Sequence, residues 1–244
     1  MIGKPFIILS SVDSTNNHAM QLIRDGKATS GTAIFALEQT NGKGQRGRIW
    51  ESVKGENIML TVIMDAEQFS PMDQFPVSAA VILGCHDFFS AYAGEETSIK
   101  WPNDLYWRDR KAGGILIENI IGKGKWKWSV IGIGININQV TFDAYHHKAV
   151  SLKQITGKHF DSIALAQELC SHLENRFKEM EKNSTPNIVF EFNKRLFKKG
   201  QVVKFRRNQI VFDATVLQSN MQGELEIQHS ITETIRHGEI EWLL

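Results

Sequence analysis

A short glycine-rich stretch carries the residue types that hold an anion. Residues 41–50 read Asn-Gly-Lys-Gly-Gln-Arg-Gly-Arg-Ile-Trp. The glycines let backbone N–H groups turn toward one anion, and Lys43, Arg46 and Arg48 supply positive charge. Trp50 offers an aromatic face on which a base can stack. The stretch therefore predicts either an anion-binding loop or a solvated, mobile loop whose tryptophan plugs the core.

The glycines of this stretch also match a nucleotide-binding fingerprint. Gly42, Gly44 and Gly47 spell G-x-G-x-x-G, which requires a strand before it and a helix after it. Residues 48–55 have no helical stripe of apolar residues and end on glycine. The P-loop pattern fails as well, because Arg48-Ile49 stands where a Lys-Ser/Thr pair is needed. The sequence thus disfavours both a Rossmann oxidoreductase and a P-loop protein.

Two further segments place polar residues and glycines at strand ends. Lys-Trp-Pro-Asn-Asp at 100–104 follows one predicted strand, and Lys-Ala-Gly-Gly at 111–114 opens another. A third segment, 132–138, is a strand with two glycines, which weaken a sheet unless something approaches the backbone closely. Such positions often build a site. On spacing alone, an Asn-Asp turn and a solvated Arg-Lys hairpin tip are the favoured explanation of the first two segments.

Hydrophobic periodicity predicts the elements that must position these residues. Apolar runs bounded by turn residues predict strands at 6–9, 32–38, 57–64, 98–101, 115–121 and 126–137, the last two forming a hairpin. Helical spacing predicts helices at 14–25, 77–92, 161–181 and 187–197. Ser14 is the expected cap of the first helix and Gly26 its stop. Beyond residue 200, short β-rich runs alternate with turns, which predicts a main domain at 1–197 and a small antiparallel barrel at 198–244.

Composition excludes several classes of protein. The 244 residues are 42% hydrophobic and 23% charged with a net charge of +1, so no overall field attracts nucleic acid or an anionic membrane. No apolar run approaches the roughly 20 residues of a membrane helix, and the N-terminus reads as a strand and not a signal peptide. Cys85 and Cys170 are expected to be buried free thiols, and His146-His147 solvated surface. We expect a cytoplasmic protein.

Five segments in fixed order resemble the biotin–protein ligases. They are Asp-Ser-Thr-Asn at 13–16, Gln39 to Trp50, Lys-Trp-Pro-Asn-Asp-Leu at 100–105, Lys-Ala-Gly-Gly-Ile-Leu-Ile-Glu at 111–118, and Gly-Ile-Gly-Ile-Asn at 132–136. The resemblance implies an α+β fold of the class II synthetase type. A mixed β-sheet catalytic domain with flanking helices would carry a small C-terminal SH3-like β-barrel. It also implies a monofunctional form, because no helix-turn-helix fits before the first strand.

The resemblance implies a two-step ATP-dependent reaction. The biotin carboxylate attacks the α-phosphate of ATP, which releases pyrophosphate and leaves biotinyl-5′-AMP. A lysine of a biotin carboxyl carrier domain, as in acetyl-CoA carboxylase, then displaces AMP. Biotin and ATP are thus the implied substrates, Mg²⁺ the implied cofactor and the carrier the implied partner. The enzyme is expected to be a monomer or homodimer, with neither nucleic acid nor membrane as a partner.

The family's roles fall on residues of these segments. Lys111, Asp104 and Arg46 are implied as catalytic, with Asp104 also as a metal contact. The implied biotin-binding residues are Ser14, Thr15, Asn16, Gln39, Gly42, Lys43, Gly44, Gln45, Lys111, Gly113, Gly114 and Leu116. The implied ATP-binding residues are Arg46, Arg48, Trp50, Asn103 and Asn136. Many relatives have arginine where this chain has Gln45, and we hypothesise that Arg46 compensates for that loss in holding the adenylate.

Two other functions are weighed against the ligation of biotin. A lipoate or octanoate ligase shares the chemistry but usually carries Arg-Arg followed by Gly-Gly-Gly and a His-Asp pair; this sequence has no Gly-Gly-Gly, and its His86-Asp87 pair precedes its Arg206-Arg207 pair. A noncatalytic module that binds biotin or a nucleotide is the alternative from a different class. A transcriptional regulator is disfavoured by the nearly neutral charge.

Overall fold

A seven-stranded mixed sheet forms the larger part of the fold. The computed structural model describes residues 1–142, 148–183 and 185–244, so the His146-His147 pair lies outside the described residues. The strands are β1 Phe6–Leu9, β2 Ala33–Ala36, β3 Ile58–Asp65, β4 Thr97–Lys100, β5 Asp104–Trp107, β6 Arg110–Gly122 and β7 Lys125–Ile135. Their order is β1-β2-β3-β7-β6-β5-β4. β1 and β2 pair in parallel, and the remaining neighbours pair antiparallel.

One face of this sheet is covered by two long helices, α2 (Gln74–Ala93) and α4 (Ser162–Asn183). α2 is buried on nearly all sides, which explains why its sequence is apolar around the whole helix. The predicted stripe of α4 is buried against it: Leu165, Leu169, Leu173 and Phe177. This face holds the main hydrophobic core, which leaves the opposite face available for a site.

The opposite face is only partly covered, by α1 (Thr15–Arg24). Ala19 of this helix packs on Ile34, Ile63 and Val130 of the sheet. Ser14 is the N-cap of α1, as predicted, but its side chain makes no capping hydrogen bond. Beyond this small cluster the face carries glycines and polar residues, which is where the site lies.

A second, antiparallel sheet of five strands follows along the chain. Its strands are β8 Val202–Arg207, β9 Ile210–Ser219, β10 Leu225–Gln228, β11 Thr232–Ile235 and β12 Glu241–Leu243, in the order β11-β10-β9-β8-β12. It joins the first part of the fold through buried hydrogen bonds, such as Trp101 Nε1 to the Gly223 carbonyl at 2.9 Å. The predicted α+β class, with a mixed sheet and a second antiparallel sheet, is confirmed. The predicted boundary between residues 197 and 198 stays a prediction.

Three local predictions were wrong or incomplete. The helix predicted at 187–197 is α5, Thr185–Lys194; it ends early because Phe197 N–H donates to the Ile99 carbonyl and extends the sheet beyond β4. Residues 101–103 form a turn, but the strand that follows it, β5, was not predicted. A short helix, α3 (Leu152–Thr156), was not predicted, although its Ser151 and Gln154 form a capping box.

The two cysteines behave as the sequence predicts. Cys85 and Cys170 are buried and free. Burial raises the pKa of the Cys85 thiol far above its usual range and that of Cys170 to about 12, so neither is a reactive thiolate. In the part of the chain that is described, no helix has the length and apolar character needed to cross a membrane.

Candidate active site

The site is built on two rows of residues that cross the open face of the sheet. Residues two apart along a strand share a face, so both rows point the same way. In the first row Thr61 of β3 pairs with Gly132 of β7, which pairs with Leu116 of β6. The second row lies two residues further along each strand and contains Met59, Gly134, Gly114 and Asp104.

A buried polar network surrounds the first row. The Thr61 hydroxyl lies 2.7 Å from Thr15 Oγ1 and 2.7 Å from Asn16 Oδ1, both at the start of α1. Gln39 Oε1 accepts hydrogen bonds from the Thr15 N–H at 2.8 Å and the Thr15 hydroxyl at 3.0 Å. Ser14 is buried beside them. Four of the predicted biotin-binding residues, Ser14, Thr15, Asn16 and Gln39, therefore lie together, and Thr61 joins them.

Gly132 makes room for this network. A β-carbon at position 132 would lie 2.4 Å from Asn16 Oδ1, so a larger residue would displace the amide. Asn16 Nδ2 donates to Glu118 Oε2 at 2.7 Å, and Lys43 Nζ lies 3.5 Å from Glu118 Oε1. The glycine in this strand thus serves a close approach, as the sequence indicated. Glu118 ends one of the quoted segments but received no role from the sequence.

The glycine-rich stretch forms a small hairpin beside the first row. Trp50 N–H donates to the Gly42 carbonyl at 3.0 Å, and Gly44 N–H to the Arg48 carbonyl at 2.7 Å. Gln45 begins a short 3₁₀ turn at the tip, where Arg46 adopts a positive φ of 58°. A cavity of about 370 Å³ separates the hairpin from Leu116 and Glu118 of β6. This volume falls in the range of small-molecule pockets.

Trp50 lies over the second row. A β-carbon on Gly134 would come within 2.5 Å of Cε2 of the indole ring, so the ring rests directly on the strand backbone. Gly134 is paired with Gly114, and a β-carbon on Gly114 would lie 3.0 Å from Asp104 Oδ1. The aromatic ring and the charged pair described next therefore occupy neighbouring positions along one row.

Lys111 and Asp104 form an ion pair at the end of the second row. Lys111 Nζ lies 2.7 Å from Asp104 Oδ1, and both side chains are partly exposed. The backbone of Lys111 is fixed on its outer side, since its N–H donates to the Lys148 carbonyl at 2.7 Å and its carbonyl accepts from Val150 N–H at 2.9 Å. The lysine is thus held on a rigid strand and faces the site.

Positive charge accumulates around Asp104. Lys100 is paired with Asp104 across β4 and β5. Burial lowers the pKa of Lys100, the charges of Lys111, Arg48 and Lys148 lower it further, and Asp104 opposes them. Among the described residues around Lys100, the Asp104 carboxylate thus faces the positive charges of Lys100 and Lys111, with Arg48 and Lys148 nearby. The resulting excess of positive charge suits a polyanionic ligand.

Two predicted ATP-binding residues, Asn103 and Asn136, donate their side-chain amides to backbone carbonyls of the fold. Asn103 is buried and its side-chain amide donates to the Ile115 carbonyl. Asn136 is also buried and donates to the Val150 carbonyl at 3.2 Å and the Lys111 carbonyl at 3.4 Å. Both asparagines lie beside the site, and their amides fix the strands that carry Lys111. Gly113 also serves the packing of these strands, because a β-carbon there would lie 2.7 Å from the Gly134 carbonyl and push the two strands apart.

Comparison with known proteins gives one family. A sequence model described as the Biotin/lipoate A/B protein ligase family matches residues 8–136. The bifunctional ligase/repressor BirA of Bacillus spizizenii is 32% identical over 185 residues, 73% of this chain and 55% of that protein. The BirA of Escherichia coli is 36% identical over 116 residues, 48% of this chain and 35% of that protein. The chain thus spans about half, or less, of the length of these relatives.

A solved structure is similar over the whole chain. It is the biotin protein ligase from Aquifex aeolicus in complex with biotin and ATP, with a TM-score of 0.82 and 24% identity. The match covers 98% of this chain and 99% of the other. At this level of identity the likeness is one of fold, and it includes both sheets.

Proposed function

Because the chain belongs to the biotin/lipoate A/B protein ligase family, we propose that it is an ATP-dependent biotin–protein ligase. It activates biotin as biotinyl-5′-AMP and transfers the biotinyl group to a lysine of a biotin carboxyl carrier domain. One observation carries the proposal: the Lys111–Asp104 pair and the polar pocket of Thr15, Asn16 and Thr61 lie on adjacent rows of one sheet face. An activating group and an acid-binding pocket side by side suit acyl-adenylate chemistry.

The polar network at the first row is suited to the urea ring of biotin. Biotin is mostly apolar with one polar head, so its pocket needs a few placed donors and acceptors. Thr15, Asn16 and Gln39 supply both kinds, and the bonds between Thr15 and Gln39 and between Asn16 and Thr61 fix their orientation before the ligand arrives. Reorienting a hydroxyl or amide of this network would break its existing hydrogen bonds. The network therefore favours a ligand whose polar head group matches the donors and acceptors as they stand.

The first step brings the carboxylate of biotin to the α-phosphate of ATP. The two anions repel, so the step needs cations aimed at the charge that develops. The Lys111 ammonium at the end of the second row is suited to this role, and Arg48 adds charge from the hairpin. The indole of Trp50, which is in close contact with the strand at Gly134, offers the adenine a stacking surface.

The second step needs a neutral lysine amine from the carrier. A lysine starts protonated at neutral pH, since its ordinary pKa is about 10.4. Asp104 is the one carboxylate in the second row, and its oxygen lies 2.7 Å from Lys111 Nζ. We assign it the role of orienting the incoming amine and accepting its proton, while its contact with Lys111 fixes the position of the carboxylate.

Magnesium fits this site only as a companion of the triphosphate. Among the described residues no group of three or more His, Cys, Asp or Glu side chains could hold a metal ion. Mg²⁺ is commonly bound through one or two carboxylates and substrate phosphates, and Asp104 could provide such a carboxylate. When bound, Mg²⁺ would neutralise charge on the pyrophosphate leaving group.

Exchange of radiolabelled pyrophosphate into ATP tests the proposed function directly. The assay is run with biotin, lipoate, octanoate or no acid, and biotin alone is expected to support exchange. Exchange with lipoate or octanoate in place of biotin would favour the lipoate-ligase alternative. Binding of biotin without exchange under any condition would favour the noncatalytic module. Transfer is then measured with a biotin carboxyl carrier domain as the acceptor.

A further inference from the structure

The hairpin of the glycine-rich stretch is attached to the second sheet through Arg46. Arg46 Nη2 donates to the carbonyl of His237 at 2.7 Å, across 191 residues of sequence. His237 lies in the turn between β11 and β12. Arg46 is at the tip of the hairpin, so this contact joins the most remote point of the hairpin to a different sheet.

Gly238 is required for this contact. A β-carbon at position 238 would lie 1.3 Å from Nη2 and 1.8 Å from Cζ of Arg46. The guanidinium group therefore occupies the space that any other side chain at 238 would fill. Gly238 also has a positive φ of 92°, a conformation that glycine adopts without strain.

The turn that receives Arg46 is itself rigidly supported. The ring of His237 packs edge-on against Trp101, with centroids 5.8 Å apart and planes at 86°. Trp101 is buried and donates to the Gly223 carbonyl at 2.9 Å. Arg236 and Glu239 close the turn with hydrogen bonds of 2.9 and 3.1 Å. These contacts hold the turn in a fixed position against Trp101.

We propose that the His237 carbonyl and Gly238 form a seat for Arg46, and that this seat holds the hairpin over the active site. His237 and Gly238 are positioning residues, since they act through Arg46. Resting on the proposed function, the consequence is that the second sheet helps to retain the adenylate by keeping the hairpin in place. This chain has Gln45 where many relatives have an arginine that could hold the adenylate. Its retention of the adenylate therefore depends on the position of the anchored hairpin.

The test compares Gly238→Ala with Gly200→Ala. Both glycines have a positive φ, 92° and 72°, so both substitutions strain the backbone in a similar way. Gly200 has open space around the position of a β-carbon, whereas a β-carbon on Gly238 would overlap Arg46. The difference between the two variants therefore reports the loss of the seat and not the strain.

The first measurement is limited trypsin cleavage after Arg48 in the protein without ligands, followed by mass spectrometry. Gly238→Ala is expected to be cleaved about three- to tenfold faster than Gly200→Ala, as for the loss of one solvent-exposed hydrogen bond. Arg46→Ala is expected to be cleaved faster as well, and adding Gly238→Ala to it should change nothing further. Equal cleavage of the two alanine variants, or additive effects of Arg46→Ala and Gly238→Ala, would overturn the proposal.

The second measurement is the release of biotinyl-adenylate from the enzyme into solution. Release from Gly238→Ala is expected to rise by a similar factor over Gly200→Ala. The cleavage assay needs neither biotin nor ATP. Its result therefore tests the seat for Arg46 even if the protein shows no pyrophosphate exchange and the proposed function is wrong. If Gly238→Ala does not fold by circular dichroism, Arg46→Lys replaces it, because an ammonium group cannot lie flat on the glycine. Arg46→Lys is then expected to be cleaved faster than wild type, and wild-type cleavage would overturn the proposal.

Discussion

Lys111 Nζ lies 2.7 Å from Asp104 Oδ1, at the end of the row of residues that also carries Gly114 and Gly134. The pair is formed across two adjacent strands, so its geometry is set by the sheet and not by a loop. In the proposed reaction the lysine serves the first step and the aspartate the second. The two residues should therefore be separable by experiment.

Replacing each member of this pair should affect a different step. Lys111→Ala is expected to lower biotin-dependent pyrophosphate exchange by about 10²–10³-fold, as for the loss of a group that stabilises transition-state charge. Asp104→Asn should lower transfer from preformed adenylate by about 10²–10⁴-fold, the usual worth of a general base. Single-turnover transfer with purified adenylate measures the second effect. Undiminished transfer in Asp104→Asn would show that the amine role is wrong.

Two glycines of β7 should separate the binding of the two substrates. Gly132→Ala places a methyl group on the Asn16 amide, whereas Gly134→Ala places one on the Trp50 ring. We expect Gly132→Ala to weaken biotin about tenfold and leave ATP unchanged. Gly134→Ala should weaken ATP by about 5- to 100-fold, in keeping with the loss of one base–aromatic stack, and leave biotin unchanged.

Each variant is the control for the other, because both add one methyl group to the same strand. Titration calorimetry with biotin and the KM for ATP in pyrophosphate exchange give the two affinities. If both variants weakened both substrates equally, the two rows would not be separate binding surfaces.

Thr61→Val should weaken biotin without disturbing the shape of the pocket. The hydroxyl of Thr61 lies within 2.7 Å of both Thr15 and Asn16, so its loss leaves buried polar atoms without a partner. We expect biotin to bind about tenfold more weakly and the free energy of unfolding to fall by about 1–2 kcal/mol. Thr97→Val is the control, since that buried hydroxyl donates to the Gly94 carbonyl away from the site. The control should lose stability and keep its affinity for biotin.

Asp87 should make the stability depend on acid pH. Burial opposes its ionisation, but His86, Arg176 and Arg195 outweigh burial and lower its pKa to about 2. A carboxyl with a lowered pKa in the folded state stabilises the fold above its unfolded pKa of about 3.9. That contribution, about 2 kcal/mol, is lost as the pH falls from about 4 to 2.

The Asp87→Asn variant isolates this effect. We expect it to be less stable than the wild type by about 2–4 kcal/mol at pH 7 and to lose less stability on acidification. Urea denaturation at pH 7, 4 and 3 measures both differences. Glu96→Gln removes an exposed pair with Arg108 and should change the stability by less than about 1 kcal/mol. Parallel pH profiles of wild type and Asp87→Asn would contradict the prediction.

The sequence predicted the elements that show strong hydrophobic periodicity. It missed those whose ends are set by contacts with residues far away in the sequence. α4 was predicted because one face repeats leucine at helical spacing, and the β6–β7 hairpin because a Gly-Lys turn joins two apolar runs. The end of α5 could not be predicted, since the residues that follow it, 195–197, pair with Ile99, almost a hundred residues earlier. Local pattern carries no information on such a partner.

The site was predicted to the extent that its residues lie in recognisable segments. Thr15, Asn16, Gln39, Asp104 and Lys111 came from such segments, and the structure brings them onto one sheet face. Other contacts were missed because nothing near them in the sequence marks a role. Thr61 stands in an apolar strand, and His237 meets Arg46 only through the packing of two sheets.

The seat of Arg46 also has a consequence for synthesis on the ribosome. His237 is added 191 residues after Arg46, which at about 5 to 20 residues per second takes about 10 to 40 s. All seven strands of the first sheet have left the peptidyl-transferase centre well before then. During that interval the nascent chain can pair these strands while its hairpin has no anchor. We expect the hairpin to be the last part of the active site to settle, and to do so only after β11 has been made.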